Sequence, residues 1–300
     1  MKKILITGGT GLLGKALIKK LLQRGYEVRV LTRTKRKDSP YQSYLWNLES
    51  GEFDITCLES VDAIIHLAGA GVIDQKWTKN YKQEILDSRV KSANMLFEAI
   101  KKSETKPEVF ISTSGVGYYG AVSVKKTFEE NDAAGNDFVA TVCKQWEQAA
   151  IQFETLNIRT AIFRTGVVLS KDGGALLKMM KLARMKLLSN LGSGTQIIPW
   201  IGVNDWVNAT IFSLENPQMK GIYNSVAANV TNQEMTKQIN KCYNNRFLLP
   251  SVPKFMIRLL FGERANLILE GSKVSNNKLL QAGFEFENKE LEEVIRNFTN

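Results

Sequence analysis

The stretch Thr7-Gly8-Gly9-Thr10-Gly11-Leu12-Leu13-Gly14 places glycines at the first, fourth and seventh positions counted from Gly8. That spacing suits a strand turning sharply into a helix, so that the helix's first free N–H groups face a pyrophosphate. A side chain at Gly11 would obstruct the approach, and Gly14 lets the helix pack on the strand. An ordinary tight turn also uses glycines, so the flanking elements decide between the two. Lys3 to Thr7 is a short β-branched and apolar run, and Leu12, Leu13, Ala16, Leu17 and Leu21 recur at helical spacing until Gly25. The motif therefore follows a strand and opens an amphipathic helix. Gly8, Thr10, Gly11, Leu12, Leu13 and Gly14 are the expected pyrophosphate turn of a nicotinamide dinucleotide site.

The second strand, Glu27 to Thr32, bears on which dinucleotide. NAD sites commonly offer a carboxylate at the end of this strand, about 20 residues past the turn, to bond the ribose 2′-hydroxyl. Here the position reads Thr32-Arg33-Thr34-Lys35-Arg36, with no acid. A hydroxyl and a guanidinium, Thr32 and Arg33, suit a 2′-phosphate. The competing account is a basic surface loop. NADP is expected in preference to NAD.

Other chemistries are narrowed by what the chain lacks. His66 is the single histidine, at the end of a buried strand where it is expected to pack. No Ser-His-Asp triad, H-E-x-x-H site or histidine-rich metal site follows. Cys57, Cys143 and Cys242 are odd in number and far apart, which fits a reducing compartment rather than a disulfide framework. Cys143 reads as core and Asp205 as a helix cap. The net charge of +10 is spread along the chain, densest at Arg33, Lys35, Arg36 and Lys37. Without interleaved aromatics this reads as a solvated lysine-rich surface, some of it attracting a phosphate-bearing cofactor or substrate, rather than a nucleic-acid site. No apolar run approaches the ~20 residues of a membrane helix. Met1-Lys2-Lys3 runs straight into a strand too short for a signal-peptide core. The expectation is a cytoplasmic protein, monomer or homodimer, whose partner is a small-molecule substrate and neither nucleic acid nor membrane.

The elements that must position these residues alternate. Tyr44 to Trp46 is a weak third strand, Val61 to Leu67 a fourth, Val109 to Ser112 a fifth and Ile158 to Arg164 a sixth. Amphipathic helices are expected over Asn80 to Lys102 and Phe138 to Phe153. Strands alternating with helices imply an α/β fold, a doubly wound parallel sheet (Rossmann) covered on both faces. After Gly166 the regularity weakens, although Gly173-Gly174 starts a helical stretch to Lys186 and Gly221 to Ser225 reads as a returning strand. The expected division is a NAD(P)-binding domain over 1–166 and a smaller, mostly helical substrate-side region over 167–300.

Thr7 to Gly14 with Leu67-Ala68-Gly69-Ala70 resembles the extended short-chain dehydrogenase/reductase superfamily. Ser88-Arg89-Val90, Ser112-Thr113-Ser114-Gly115-Val116-Gly117-Tyr118-Tyr119-Gly120, Trp146-Glu147 and Arg164-Thr165-Gly166-Val167-Val168-Leu169 narrow the resemblance to an atypical branch. So do Gly192-Ser193-Gly194, Trp200 to Asp205, Phe261-Gly262-Glu263 and a tail over about 249–296. This branch is the epimerase family protein group of NAD(P)-dependent, sugar-nucleotide-epimerase-like proteins. The resemblance implies that Leu67, Ala68, Gly69 and Ala70 join the glycine turn, Thr32 and Arg33 around the cofactor. It further implies that Glu84 and Arg89 line it and that Val167 sits beside the nicotinamide. The residues alone leave a surface ion pair between Glu84 and Arg89 equally open.

One departure bears on mechanism. The superfamily moves its proton through a Tyr-x-x-x-Lys pair on the helix after the fifth strand. Counting back from Glu147 puts Val139 and Cys143 at those positions, and Lys144 is one residue, about 100°, away. Ser114 is expected to keep the serine role, and Tyr118 or Tyr119 is the candidate phenol unless both simply pack. The branch's usual histidine after Trp200-Ile201 is Gly202 here. The expected activity is an NADP-dependent oxidoreductase or epimerase acting on a hydroxyl or carbonyl. The alternative is a non-catalytic NADP-binding or sensing protein.

Overall fold

The computed structural model describes residues 2–35, 38–245 and 249–299. Arg36 and Lys37 of the basic run lie outside the described residues. The chain begins β1 (Lys3–Thr7), α1 (Leu12–Gln23), β2 (Glu27–Thr32), β3 (Gln42–Leu45), β4 (Ala63–His66), α2 (Lys79–Lys102) and β5 (Val109–Gly115). It continues through β6 (Thr127–Phe128), α3 (Phe138–Ile151), β7 (Arg159–Thr165), β8 (Val167–Leu169), α4 (Gly174–Arg184), β9 (Ile197–Gly202) and α5 (Val203–Glu215). The last elements are β10 (Gly221–Ser225), β11 (Ala228–Thr231), α6 (Asn232–Cys242), α7 (Lys254–Phe261), α8 (Asn266–Leu269), β12 (Lys273–Val274), α9 (Asn277–Gln281) and α10 (Leu291–Thr299).

Seven strands form one sheet in the order β10-β7-β5-β4-β1-β2-β3. The pairings β1–β2, β1–β4, β2–β3 and β4–β5 are parallel. The order reverses at β1, as a doubly wound sheet requires, and β10 returns at one edge as expected. The central strands are apolar on both faces because helices cover both. Ile4, Leu5, Ile6, Ile64 and Ile65 are fully buried. On one side Phe110 of β5 stacks on Phe153 with centroids 3.7 Å apart, and Phe97 of α2 meets Phe153 edge-on. The third strand sits slightly earlier than expected. Trp46 leaves the sheet to make an isolated bridge with Phe53 and is buried in the core.

The chain divides into two compact units, each discontinuous in sequence. The first comprises Met1–Ser114, Thr141–Phe163 and Val207–Ile222; the second comprises Gly115–Ala140, Arg164–Trp206 and Tyr223–Asn300. The second unit is richer in helices, with α4, α6 and α10 packed around Leu176, Met235, Ile239 and Ile295. It also carries a three-stranded sheet β11-β9-β8 and a two-stranded sheet β12-β6, neither expected from the sequence. These strands hide well. β8 has three residues, and β9 contains Pro199, which weakens the strand pattern. Gly166 is required at the junction before β8, since a Cβ there would lie 2.7 Å from Pro199 O.

Candidate functional site

In the first unit, parallel pairing sets Thr7 opposite both Leu31 and His66, and His66 opposite Ser112. The segments that follow these four strands therefore leave the same edge of the sheet. They carry Gly8 to Gly14, Thr32 and Arg33, Leu67 to Ala70, and Ser114. Sheets of this topology hold ligands beyond that edge.

Gly8 adopts φ +68°, and a Cβ on it would lie 2.5 Å from Leu67 O. The first turn is thus pressed directly onto the segment after β4. Gly14 is as constrained, with a Cβ falling 2.4 Å from Gly8 O and 2.6 Å from Gly9 Cα. Its role differs from the sequence expectation: it lets α1 close on its own turn, not on the strand. Gly11 is different. A Cβ there would meet only Gly8 O, at 3.3 Å, a tight contact that a shift of a few tenths of an ångström relieves, so internal packing demands glycine far less than at Gly8 or Gly14. Gly11 caps α1 without a side-chain hydrogen bond, and the first turn of the helix contains no acid. The N–H groups of Leu12, Leu13 and Gly14 have no intrahelical acceptor. Thr10 is exposed; Leu12 and Leu13 are half-buried.

Buried side chains lock the turn to the Leu67–Ala70 segment. Thr7 Oγ1 accepts N–H bonds from Leu67 and Ala68, both at 3.1 Å, and lies 2.8 Å from His66 Nδ1. With both lone pairs occupied, the Thr7 hydroxyl proton must go to Nδ1. That assigns the Nε2–H tautomer to His66, whose Nε2 faces Ser92 Oγ at 3.1 Å and Arg89 O at 3.4 Å. Burial pushes the imidazole down to about 4, so it is neutral at pH 7. The expected packing role is what the structure gives His66, with a specific tautomer added. From α2, Ser88 Oγ accepts the Ala70 N–H at 2.9 Å and Tyr81 donates to Gly71 O at 2.6 Å. Thr7, Tyr81 and Ser92 were not singled out from sequence, because isolated hydroxyls carry no pattern.

Arg89 is buried while Glu84, on the same helix, is exposed. A surface ion pair between them is excluded. The guanidinium donates to Ile85 O at 2.8 Å, lies 4.8 Å from the Trp146 ring centroid and sits under Gly69, where a Cβ would fall 2.9 Å from Cζ. Burial lowers its pKa. Arg33 is exposed, and Thr32 and Thr34 form a small hydroxyl turn beside it, with Thr34 N donating to Thr32 Oγ1 at 3.3 Å. Ser114 Oγ is buried and has no hydrogen-bond partner among the described residues, nor has Trp146 Nε1. On α3, Cys143 is buried and Lys144 exposed, as the one-residue offset predicts.

The second unit holds Tyr118 and Val167. Arg164 is almost wholly buried and spreads its guanidinium over the Tyr118 ring, 3.4 Å from the centroid. Its Nη1 donates to Tyr119 Oη at 3.1 Å and to Glu130 O at 2.9 Å. Tyr119 in turn donates to Asn224 Oδ1 at 2.7 Å, and burial pushes its phenol up to about 12. Tyr119 is therefore a structural phenol. Tyr118 is half-buried, and its hydroxyl makes no hydrogen bond among the described residues. Val167 begins β8, opposite Trp200. Asp205 is not a helix cap, correcting the expectation. Its buried carboxylate accepts the backbone N–H groups of Glu287 at 2.7 Å and Asn288 at 3.3 Å, tying down the C-terminal segment. Among the described residues no group of three His, Cys, Asp or Glu could hold a metal, and no helix is long and apolar enough to cross a membrane. Cys57, Cys143 and Cys242 are not joined in disulfides.

The glycine turn, its sheet and the segment after β4 are matched as a set. Residues 4–226 match the NAD dependent epimerase/dehydratase family, and residues 252–298 match a domain of unknown function, DUF1731. The chain belongs to the NAD dependent epimerase/dehydratase family. It is 37% identical over 299 residues to the chloroplastic epimerase family protein SDR39U1 homolog of Arabidopsis thaliana, covering 97% of this chain and 85% of that one. Its fold is similar to that of human epimerase family protein SDR39U1 (isoform 2), solved with NADPH, at TM-score 0.88 and 29% identity, covering 99% of each chain. It is also similar to the nucleoside-diphosphate sugar epimerase of Corynebacterium glutamicum at TM-score 0.81 and 27% identity, covering 99% of this chain and 58% of that one. Membership makes this an NAD(P)-binding, epimerase-like chain of the extended short-chain dehydrogenase/reductase type.

Proposed function

We propose that the protein is an NADP-dependent oxidoreductase or epimerase acting on a hydroxyl or carbonyl of a small polar, sugar-nucleotide-like substrate. The observation that carries the reading is Gly11. Internal packing demands glycine there far less than at Gly8 or Gly14, and the uncapped start of α1 lies directly behind it. A glycine kept bare at an uncapped helix N-terminus suits a pyrophosphate.

In this reading Gly8, Thr10, Gly11, Leu12, Leu13 and Gly14 hold the pyrophosphate, and Thr32 and Arg33 hold the 2′-phosphate. Leu67, Ala68, Gly69 and Ala70 join them around the cofactor, with Glu84 on α2 lining it and Arg89, beneath Gly69, supplying positive charge. Val167 packs beside the nicotinamide. When bound, the nicotinamide supplies hydride transfer. Ser114 orients the reacting oxygen through its unpartnered hydroxyl, and Tyr118 moves the proton at its Oη. Residues 1–166 with the strand at 221–225 form the cofactor region, and 167–300 the substrate side. We place the protein in the cytoplasm.

The test is fluorescence titration of NADPH and NADH against wild type and Arg33→Ala. Tighter binding of NADPH, with the preference abolished in Arg33→Ala, is expected. Binding of neither cofactor would end the proposal. A second reading, a non-catalytic NADP sensor, is favoured by buried Val139 and Cys143 at the acid–base positions of α3. It predicts NADPH binding with no turnover that Ser114→Ala or Tyr118→Phe can reduce.

A further inference from the structure

Helix α7 turns Ile257 inward against Ala265 and Leu269. Its other face is uncovered: Phe255 is 70% exposed, Leu259 84% and Leu260 70%, with Met256 also exposed. Positions 255, 256, 259 and 260 form a single stripe on a helix. Lys254 and Arg258, both exposed, border it. No other helix presents four large apolar side chains outward in this way among the described residues.

A second stretch has the same character. After α4, Met185 is 64% exposed and Leu187 51%, among exposed Lys178, Lys181, Arg184 and Lys186. The two stretches are tied side by side. Leu191 bridges Val252, Val252 N donates to Asn190 O at 2.8 Å, Gly192 N donates to Val252 O at 2.9 Å, and Ser189 Oγ donates to Pro250 O. No Asp or Glu occurs from Gly173 to Asn204, nor from Asn245 to Gly262. Apolar side chains that protrude, bordered along the helix by cations, with Glu263 an acid just past its end, best match an apolar phase faced with negative charge.

We propose that α7, with the stretch after α4, docks the protein on the surface of an anionic phospholipid bilayer. Phe255, Leu259 and Leu260 enter the headgroup boundary while Lys254, Arg258 and Lys186 meet lipid phosphates. A second copy of this chain is the poorer occupant, because two such faces bring like charges together. The side chains stand out from a convex helix, which suits a fluid phase that closes around them. The expectation that a membrane plays no part rested on the lengths of apolar runs, which govern spanning and not surface docking.

The test is co-sedimentation of the full chain with phosphatidylcholine vesicles, with and without phosphatidylglycerol. Expected is pelleting with the anionic vesicles alone, diminished by high salt. Phe255→Ser with Leu259→Ser should weaken partition on the order of tenfold or more, as should Lys254→Glu with Arg258→Glu. Both double variants should keep the wild-type Tm and NADPH affinity, which shows that they fold. Failure to pellet with anionic vesicles, equal pelleting with neutral ones, or indifference to both double variants would overturn the proposal. So would sedimentation velocity showing a dimer that Leu259→Ser dissociates.

Discussion

Thr7→Val removes one hydroxyl and keeps the shape of a fully buried side chain. Three hydrogen bonds disappear: from Leu67 N, from Ala68 N and to His66 Nδ1. They are not equivalent. Leu67 N also reaches Thr7 O at 3.3 Å and keeps that acceptor. Ala68 N, half-buried, and His66 Nδ1, fully buried, are left without these partners. At roughly 1–3 kcal/mol for each of the two orphaned groups, the loss is about 2–6 kcal/mol. Thr7→Ser keeps the hydroxyl and forfeits a methyl group, about 1 kcal/mol. Urea unfolding should therefore rank wild type above Thr7→Ser above Thr7→Val, with unchanged m-values. Because the same hydroxyl fixes Leu67 and Ala68 against Gly8, NADPH affinity should fall in Thr7→Val and survive in Thr7→Ser. If Thr7→Val proves as stable as Thr7→Ser, the hydroxyl is not the latch described, and the tautomer assigned to His66 loses its basis.

Two glycines three residues apart in the motif should separate folding from binding. Gly14→Ala, with its Cβ 2.4 Å from Gly8 O, should destabilise by about 2 kcal/mol or more despite alanine's helix propensity. Gly11→Ala should change stability by less than about 1 kcal/mol and still weaken NADPH binding at least tenfold, read by calorimetry; a stable Gly14→Ala would contradict the packing. For His66 the folded pKa, about 4, lies below the ordinary 6.5, so the unfolded chain takes up the proton first as pH falls. Stability is then full above pH 6.5 and lost progressively towards pH 4, by about 3 kcal/mol. His66→Asn should flatten that window in paired unfolding curves at pH 7.5 and 4.5, and parallel pH profiles would refute the neutral, buried assignment. Asp205→Ala orphans the N–H groups of Glu287 and Asn288, so it should cost about 2–3 kcal/mol and expose the segment around residue 287 to limited proteolysis. Protease resistance equal to wild type would count against that role.

The parallel sheet and the glycine turn were legible because both rest on repeating patterns. Apolar runs bounded by Gly25, amphipathic helices and a turn at a known offset all leave marks that a single chain displays. The sheet β11-β9-β8 was not legible, since its strands are three to six residues long and Pro199 breaks one of them. The latch of Thr7 and His66 was illegible for another reason. Its parts are 59 positions apart, and only the parallel register of β1 and β4 makes them neighbours. Asp205 misled because an acid in the first turn of a helix looks like a cap, yet its acceptors are used 82 residues away.

The missing Tyr-x-x-x-Lys pair shows how far sequence position constrains chemistry. On a helix, one residue is about 100° of rotation, and α3 accordingly turns Cys143 inward and Lys144 out to solvent. No small shift of register restores the lysine, because every neighbouring apolar residue would rotate out of the core with it. In the proposed reaction the proton donor then comes from a different element. The two adjacent tyrosines after β5 divide that question cleanly. Tyr119 has its hydroxyl committed to Asn224 and Arg164 and its phenol pushed up to about 12, which suits a fixed strut. Tyr118 shares the Arg164 guanidinium through its ring face and leaves its hydroxyl uncommitted. A group that must exchange a proton with a substrate cannot spend its hydrogen bond on the fold, and of the pair Tyr118 alone meets that condition.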